Sequence, residues 1–85
     1  MQFSHFSFYI LRSVKTGSYY IGSTENITRR LFQHNHGLVE STKFQLPWLL
    51  IHVEHFDNLS DSRQREVQVK KWKSRAAIDR LIEKA

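Results

Sequence analysis

The sequence predicts an α+β fold: a small three-stranded antiparallel sheet flanked by three helices, in the order β-β-α-β-α-α. Two patterns support this prediction. Near the start of the chain, apolar and polar residues alternate on either side of a glycine-containing turn, which is typical of a β-hairpin. Farther along, apolar residues recur every three to four positions, which is typical of helices. From its length, we expect residues 1–85 to form a single domain.

The first two strands form the predicted hairpin. Alternation in the first strand places Tyr9 on the sheet face opposite to Phe8 and Ile10. A turn follows, in which Gly17 can adopt a positive φ. Residues 19–23 then resume an extended pattern. The tyrosines at the two ends of this hairpin are therefore expected on paired strands.

The first helix is expected after Asn26, a residue type that commonly caps helices. It is predicted to run from Ile27 to about His36 and to end at Gly37. Arg30 and His34 are four residues apart within it. This spacing makes them project together from one side of the helix.

The third strand follows a polar connection and is introduced by Pro47. It is predicted over residues 48–56, where Leu49, Ile51 and Val53 alternate with other residues. We therefore expect these three side chains to form one apolar face of the strand.

Two further helices complete the chain. Ser60 or Asp61 is the expected cap of the second helix, which is predicted to run to about Lys73. Ser74 or Arg75 interrupts it. The third helix is short, and its apolar stripe consists of Ile78, Leu81, Ile82 and Ala85.

The charge of the chain favours a polyanionic partner. Thirteen Lys and Arg against eight Asp and Glu give a net charge of +5, which suits nucleic acid. No membrane partner is expected, because no segment joins a long apolar run to a basic amphipathic face. Residues 1–6 lack the pattern of a signal peptide, so we expect a cytoplasmic protein. The absence of cysteine excludes disulfides and thiolate metal sites.

Five residues together point to chemistry. A metal-assisted phosphodiester hydrolase needs a proton acceptor, a fixed positive charge, a proton-handling group and a carboxylate for a cation. The chain offers this combination in Tyr9, Tyr20, Arg30, His34 and Glu66. Each residue also has a structural alternative, since tyrosines fill cross-strand contacts and a helix histidine often only packs against a sheet.

The spacing of the tyrosines resembles the GIY-YIG nuclease family. Ser7-Phe8-Tyr9 stands where that family has Gly-Ile-Tyr, and Tyr20-Ile21-Gly22 is the second half of the motif unchanged. The resemblance extends from about Phe6 to about Ile82. It implies the same sheet-and-helix architecture and a DNA endonuclease that uses one divalent cation, Mg²⁺ or Mn²⁺. In the family the position four after the arginine is usually His or Tyr, which His34 matches.

The resemblance also implies roles for these residues. A tyrosine acts as a base near neutral pH only if positive charge or hydrogen bonds stabilise its phenolate, and which of Tyr9 and Tyr20 does so stays open. Arg30 would bind the phosphate and stabilise the transition state. His34 would exchange protons near pH 7.

Glu66 has two readings. The family carries a metal-binding glutamate on this helix in an Arg-Glu context, matched here by Arg65-Glu66, and a single carboxylate suits Mg²⁺. Alternatively, Arg63 and Lys70 lie three residues before and four residues after Glu66. An ordinary helical ion pair would then explain this residue.

Contacts with nucleic acid are expected from a second set of residues. Gly22 lacks a side chain, which would leave space for a phosphate backbone to approach. Ser23 stands where excinuclease-type members have a lysine, so one positive charge is missing. Further contacts are expected from the residues that offer charge or hydrogen bonds to phosphate, namely Asn35, Ser41, Thr42, Lys43, Lys70, Lys71 and Lys73. The alternative for the last three is that they only form the solvent-exposed face of the second helix.

The sequence therefore favours a DNA endonuclease that is structure-directed or of low sequence specificity, because no separate recognition domain is evident. The alternative is a catalytically weak nucleic-acid-binding module that acts with a partner. RNA binding stays open, and a protein partner or a homodimer would supply substrate recognition.

Overall fold

The computed structural model describes residues 5–84. The expectations for residues 1–4 and for Ala85 lie outside this range. Six elements follow one another as the sequence predicts: β1 (Phe6–Ser13), β2 (Tyr19–Thr24), α1 (Ile27–Asn35), β3 (Trp48–Phe56), α2 (Leu59–Lys71) and α3 (Arg75–Lys84). Among residues 5–84, no helix has both the length and the apolar character needed to span a membrane.

The sheet is antiparallel and has the strand order β2-β1-β3, with β1 in the centre. Its two faces bury different cores, because successive side chains of a strand point to opposite sides. On one face Phe8 and Ile10 pack against α2 and α3 through Val69 and Ile78. We call this the α2-side core. The prediction that Tyr9 lies on the other face is confirmed.

The opposite face carries what we call the α1-side core. Tyr9, Leu11 and Trp48 are buried there. Ile27 and Leu31 of α1 cover them. The amphipathic pattern of this helix thus directs its apolar stripe onto the face that carries Tyr9.

Asparagines begin both of the first two helices. Asn26 caps α1 as predicted, and its side chain accepts a hydrogen bond from the backbone N–H of Arg29 at 2.9 Å. The prediction of Ser60 or Asp61 as the cap of α2 is wrong, because Asn58 has that role and accepts from the N–H of Asp61 at 2.8 Å. An asparagine cap bonds to a backbone N–H three residues later, so the helix begins before the position that Asp61 suggested.

A β-bulge changes the facing of side chains in β3. Ile10 pairs with His52, but the next residue, Leu11, pairs with Leu50. Ile51 is therefore the additional residue of a bulge, where two residues of one strand oppose one of the other.

Because of this bulge, the predicted apolar face of Leu49, Ile51 and Val53 is wrong. Leu49 is 55% exposed, and Ile51 packs against the α2-side core. Trp48 and Leu50 instead contribute to the α1-side core. Strict alternation cannot predict a strand that contains an additional residue.

The connection between α1 and β3 is anchored by Asn35 and Trp48. The Asn35 side chain accepts from the backbone N–H of Trp48 at 2.5 Å and donates to its carbonyl at 3.0 Å. The Trp48 indole N–H donates to the carbonyl of Thr42 at 3.1 Å. These bonds hold Thr42 beneath the sheet, where it is 1% exposed.

Gly22 lies directly opposite Tyr9 in the hairpin. A Cβ at this position would lie 2.7 Å from the Tyr9 hydroxyl oxygen and 2.8 Å from Cζ of the ring, well inside normal contact distance. The missing side chain therefore accommodates Tyr9, and this ring fills the space that was predicted to admit a phosphate backbone.

We expect Gly22→Ala to destabilise the fold by about 1–3 kcal/mol, the usual cost of overpacking a core. The Tyr9 ring is fully enclosed and cannot move aside freely. Urea unfolding of the two proteins measures this difference. Equal unfolding midpoints and slopes would show that the ring has room to shift.

Candidate active site

Four of the five predicted residues meet in the α1-side core. Tyr9 and Tyr20 come from adjacent paired strands, and their rings are 6.3 Å apart between centroids. Arg30 and His34 project from α1 towards them, as their four-residue spacing predicted. The Tyr9 hydroxyl lies 3.1 Å from Nε2 of His34, and the ring of Tyr20 lies 4.9 Å from that of His34.

His34 is completely buried and hydrogen-bonded through both ring nitrogens. Nε2 meets Tyr9, and Nδ1 lies 2.8 Å from the hydroxyl of Thr42. Burial, followed by the nearby charge of Arg30, lowers the pKa of His34 from 6.5 to about 4. The imidazole is therefore neutral at pH 7, and the prediction that it exchanges protons by titrating near that pH is wrong.

Tyr9 is a protonated phenol at neutral pH. Burial raises its pKa from 10.0 to about 12, although a hydrogen bond with Arg30 acts in the opposite direction. The charge of Arg30 alone therefore does not stabilise the phenolate that a tyrosine base requires. Tyr9 can accept a proton from another molecule only if it passes its own proton to a neighbour.

Arg30 presents a positive charge without a carboxylate partner. Within residues 5–84, no Asp or Glu lies at ion-pair distance from it. Burial would lower the pKa of Arg30, but hydrogen bonds and electrostatic attraction to Tyr9 and Tyr20 outweigh it and raise the pKa. The guanidinium also donates to the side-chain oxygen of Gln33 at 3.1 Å. Such a guanidinium is suited to bind an anion.

Glu66 has both carboxylate oxygens occupied. Ser23 donates to Oε1 and Lys70 donates to Oε2, each at 2.6 Å. Of the two ion-pair partners that the sequence left open, Lys70 is thus the one used, and Arg63 is not. Arg65 binds Glu54 instead, at 3.0 Å.

The four residues that meet at Tyr9 and the fifth, Glu66, lie on different sides of β2. Gly22 faces Tyr9, whereas the next residue, Ser23, is bonded to Glu66. Neighbouring residues of a strand point to opposite faces, so the candidate site straddles this edge strand. The two halves remain electrostatically connected, since the charge of Glu66 contributes to raising the pKa of Tyr9.

Glu66 offers a single carboxylate to a divalent cation. Within residues 5–84 no group of three or more His, Cys, Asp or Glu is placed to hold a metal ion. Mg²⁺ is commonly bound through one or two carboxylates, with water and substrate phosphates as the other ligands. Glu66 can serve in this way if Lys70 releases Oε2.

The other predicted nucleic-acid contacts are dispersed. Lys43 forms an ion pair with Glu40 at 3.1 Å in the connection after α1, and Lys70 is held by Glu66. Lys71 and Lys73 are exposed at the end of α2. The helix ends at Lys71, two residues earlier than predicted, and Lys73 has a positive φ of 47° that is not helical.

Two polar residues have positions that differ from the prediction. Asn35 and Thr42 were expected to face phosphate, but both turn inwards, to Trp48 and His34 respectively. Thr42 lies in a connection without hydrophobic periodicity. No sequence signal therefore identifies it as a neighbour of the histidine.

We expect stability to fall by about 2 kcal/mol between pH 7 and pH 5 because of His34. Its pKa is lower in the folded chain than the unfolded value of 6.5, so the unfolded state binds the proton first. Stability is therefore complete above pH 6.5 and is lost as the pH falls towards 4. Urea unfolding at both pH values measures the loss.

The matched variant for this measurement is His34→Gln, which hydrogen-bonds but does not titrate. The acid-dependent loss should shrink by the amount that His34 contributes. The range above pH 5 is used because the pKa of Glu54 is lowered by its bonds to Arg65 and His52, against the effect of burial, and its contribution is lost only in stronger acid. An unchanged loss in His34→Gln would contradict the assignment.

This chain is similar to several UPF0213 proteins. It is 37% identical to one from Listeria welshimeri over 81 residues, which cover 94% of this chain and 88% of the relative. It is 45% identical to one from Syntrophus aciditrophicus over 65 residues, which cover 74% of each chain. The solution NMR structure of a UPF0213 protein from Bacillus halodurans covers 93% of this chain and 83% of that one, with 29% identity and a TM-score of 0.59.

The sequence profile of the GIY-YIG catalytic domain matches residues 5–79. The match includes both strands of the hairpin with Tyr9 and Tyr20, the helix with Arg30 and His34, and Glu66. It therefore covers the whole of the candidate site. This chain belongs to the GIY-YIG family of nuclease domains.

Proposed function

We propose that this protein is a DNA endonuclease that hydrolyses phosphodiester bonds with the help of one divalent cation. Membership in a family of catalytic domains supports the nuclease class. The observation that carries the proposal is the position of Arg30, whose charge has no described carboxylate partner and acts on Tyr9 and Tyr20. A phosphate bound there would lie beside both hydroxyls and the Tyr9–His34 pair.

The proposed substrate is the DNA backbone, with little dependence on base sequence. A net charge of +5 favours phosphate contacts, which position a duplex without reading its sequence. The proposed phosphate contacts are Arg30 at the candidate site, and Lys71 and Lys73 at the end of α2. Branched or flapped DNA suits the proposal best, because shape is then the feature that is recognised.

Arg30 would act on the charge that develops in the transition state. Its guanidinium would fork onto two non-bridging oxygens of the scissile phosphate, where negative charge accumulates. This movement would also release the lone pair of the Tyr9 oxygen with which Arg30 interacts in the free protein. Substrate binding would thereby make Tyr9 available as a proton acceptor.

The attacking water would lose its proton through Tyr9. As the water proton moves to the Tyr9 oxygen, the phenolic proton would move to Nε2 of His34, 3.1 Å away. His34 is neutral at pH 7 because burial lowers its pKa to about 4, so it can receive this proton. The hydroxide attacks phosphorus, the bond to the leaving oxygen breaks, and that oxygen takes up a proton from a solvent water. His34 then returns its proton to Tyr9, and Tyr9 releases one to solvent. Tyr20, which is less buried than Tyr9, would position the water.

Glu66 would hold the divalent cation, Mg²⁺ or Mn²⁺. When bound, such an ion polarises the phosphate and stabilises the leaving oxygen. Lys70 would have to leave Oε2, and a nearby DNA phosphate offers its ammonium another partner. Ser23 would keep the carboxylate oriented through Oε1.

The second candidate is a nucleic-acid-binding module with weak catalysis. The Ser23–Glu66–Lys70 arrangement favours it, because a carboxylate with both oxygens occupied is a poor metal ligand until one partner leaves. The two candidates differ in whether neutralising Glu66 removes an activity.

Tyr9→Phe and Arg30→Ala should each lower the rate of DNA nicking by about 10²-fold or more, since a proton-transfer group and a transition-state charge are each worth roughly that much. The assay uses flapped and branched DNA with Mg²⁺ or Mn²⁺. Tyr19→Phe is the control for the first variant, because Tyr19 bonds Asp79 on the other side of the sheet.

Arg29→Ala is the control for the second variant, because it removes the same charge from α1 at an exposed residue that pairs with Glu25, at 3.4 Å. Both control variants should nick DNA at the wild-type rate. Wild-type nicking by folded Tyr9→Phe or Arg30→Ala would return these residues to a structural role. A wild-type protein that binds DNA but cleaves none of it would favour the binding module.

Glu66→Gln should abolish metal-dependent nicking and weaken Mn²⁺ binding, while DNA affinity is kept or improved because a negative charge is removed. Lys70→Met should instead tighten Mn²⁺ binding by about two- to fivefold, the value of an exposed ion pair, because Lys70 no longer competes for Oε2. Calorimetric titration of Mn²⁺ without DNA measures both changes.

Lys71→Met removes the same charge from the same helix end, where the lysine has no described ion-pair partner, and should leave Mn²⁺ affinity near wild type. Equal effects of the two lysine substitutions would mean that Lys70 acts only through net charge. Full nicking activity in Glu66→Gln would rule out its role as a metal ligand.

A further inference from the structure

A line of polar groups runs through the α1-side core from Arg30 to the connection after α1. The charge of Arg30 acts on the hydroxyl of Tyr9, and this hydroxyl lies 3.1 Å from Nε2 of His34. Nδ1 of His34 lies 2.8 Å from the Thr42 hydroxyl. That hydroxyl in turn lies 3.4 Å from the carbonyl oxygen of Val39. Every group in this line except Arg30 is buried.

The direction of the hydrogen bonds follows from the Arg30 end. A guanidinium only donates, so Arg30 cannot take the phenolic proton of Tyr9. Among residues 5–84, Nε2 of His34 is the only acceptor at hydrogen-bond distance from this hydroxyl. A buried O–H without an acceptor is costly. The Tyr9 proton therefore points to Nε2, which must be unprotonated.

The other end of the line agrees with this direction. A neutral imidazole with an unprotonated Nε2 carries its proton on Nδ1. Nδ1–H then donates to the Thr42 oxygen, and Thr42 turns its own proton to the carbonyl of Val39, which only accepts. In this arrangement each proton in the line has an acceptor. The reverse arrangement leaves the buried Tyr9 proton without one.

We infer that Thr42 is a positioning residue that fixes His34 in the Nδ1–H tautomer and so keeps Nε2 free to accept the proton of Tyr9. Thr42 does not itself touch the substrate. Its place is set by the bond from the Trp48 indole to its carbonyl at 3.1 Å and by the two bonds between Asn35 and the backbone of Trp48. The connection after α1 thereby determines which nitrogen of the histidine faces the reacting groups.

The consequence for catalysis rests on the proposed endonuclease function, whereas the tautomer itself does not. A histidine with its proton on Nε2 could not receive the phenolic proton, so the transfer from water through Tyr9 would stop. Loss of Thr42 should therefore reduce turnover and leave DNA binding nearly unchanged, because the phosphate-binding Arg30 is kept.

The test is the imidazole ¹⁵N spectrum of His34 in the full chain at pH 7, recorded for wild type, Thr42→Val and Thr42→Ser. Valine has nearly the shape of threonine without the hydroxyl, and serine keeps the hydroxyl. Wild type and Thr42→Ser should show a protonated Nδ1 and an unprotonated Nε2. Thr42→Val should shift protonation towards Nε2. Thermal melts check that each variant is folded.

The kinetic part compares nicking by the same three proteins. Thr42→Val should lower kcat by at least about tenfold, as removal of a group that orients a histidine does in other sites, with KM for DNA near wild type. Thr42→Ser should restore most of the rate. A rise in KM without a change in kcat would instead indicate a general distortion of the site and would overturn the inference.

The spectrum decides the tautomer independently of any activity. A protonated Nε2 in the wild type overturns the inference without any variant, and this measurement remains decisive if Thr42→Val does not fold. An unchanged Nδ1–H tautomer in folded Thr42→Val overturns the role of Thr42. If no protein nicks DNA, the proposed function fails, while the spectra still support or overturn the assignment to Thr42.

Discussion

The contact between the Tyr9 hydroxyl and Nε2 of His34 is the interaction on which the rest of this structure depends. It requires the hairpin register that sets Tyr9 against Gly22, since any other residue there would meet the ring. It also requires α1 to lie across the same sheet face and the connection after α1 to turn Thr42 towards the histidine. One polar contact thus couples two strands, one helix and one loop in the interior of a small domain.

Placing this contact in the core has an energetic cost that shapes its chemistry. Burial moves the pKa of Tyr9 up to about 12 and the pKa of His34 down to about 4, so each group is held in its neutral form. A neutral pair can pass a proton along a fixed line without carrying a charge in the resting protein. In the proposed mechanism, the charge that the chemistry needs would come from the rim of the site, from Arg30 on one side of β2 and Glu66 on the other.

Periodicity explains how much of this could be predicted from the sequence. The hairpin, the facing of Tyr9, the Asn26 cap and the joint projection of Arg30 and His34 follow from local spacing, which fixes direction within one element. The sequence does not distinguish Arg63 from Lys70 as the partner of Glu66, because both lie at helical spacing from it. The inward turn of Thr42 could not be predicted, because it depends on bonds to Trp48 and on the packing of a distant strand.

The bulge in β3 decides on which face of the sheet each earlier residue of this strand lies. If the pairing of Ile10 with His52 continued without the additional Ile51, the residues nearer the start of the strand would all shift by one position. Trp48 would then lie on the opposite sheet face from Thr42 and could not hold it. β3 carries no proposed catalytic residue, yet its one additional residue therefore decides whether the candidate site can assemble. A single insertion or deletion there would disable it while leaving every proposed site residue in the sequence.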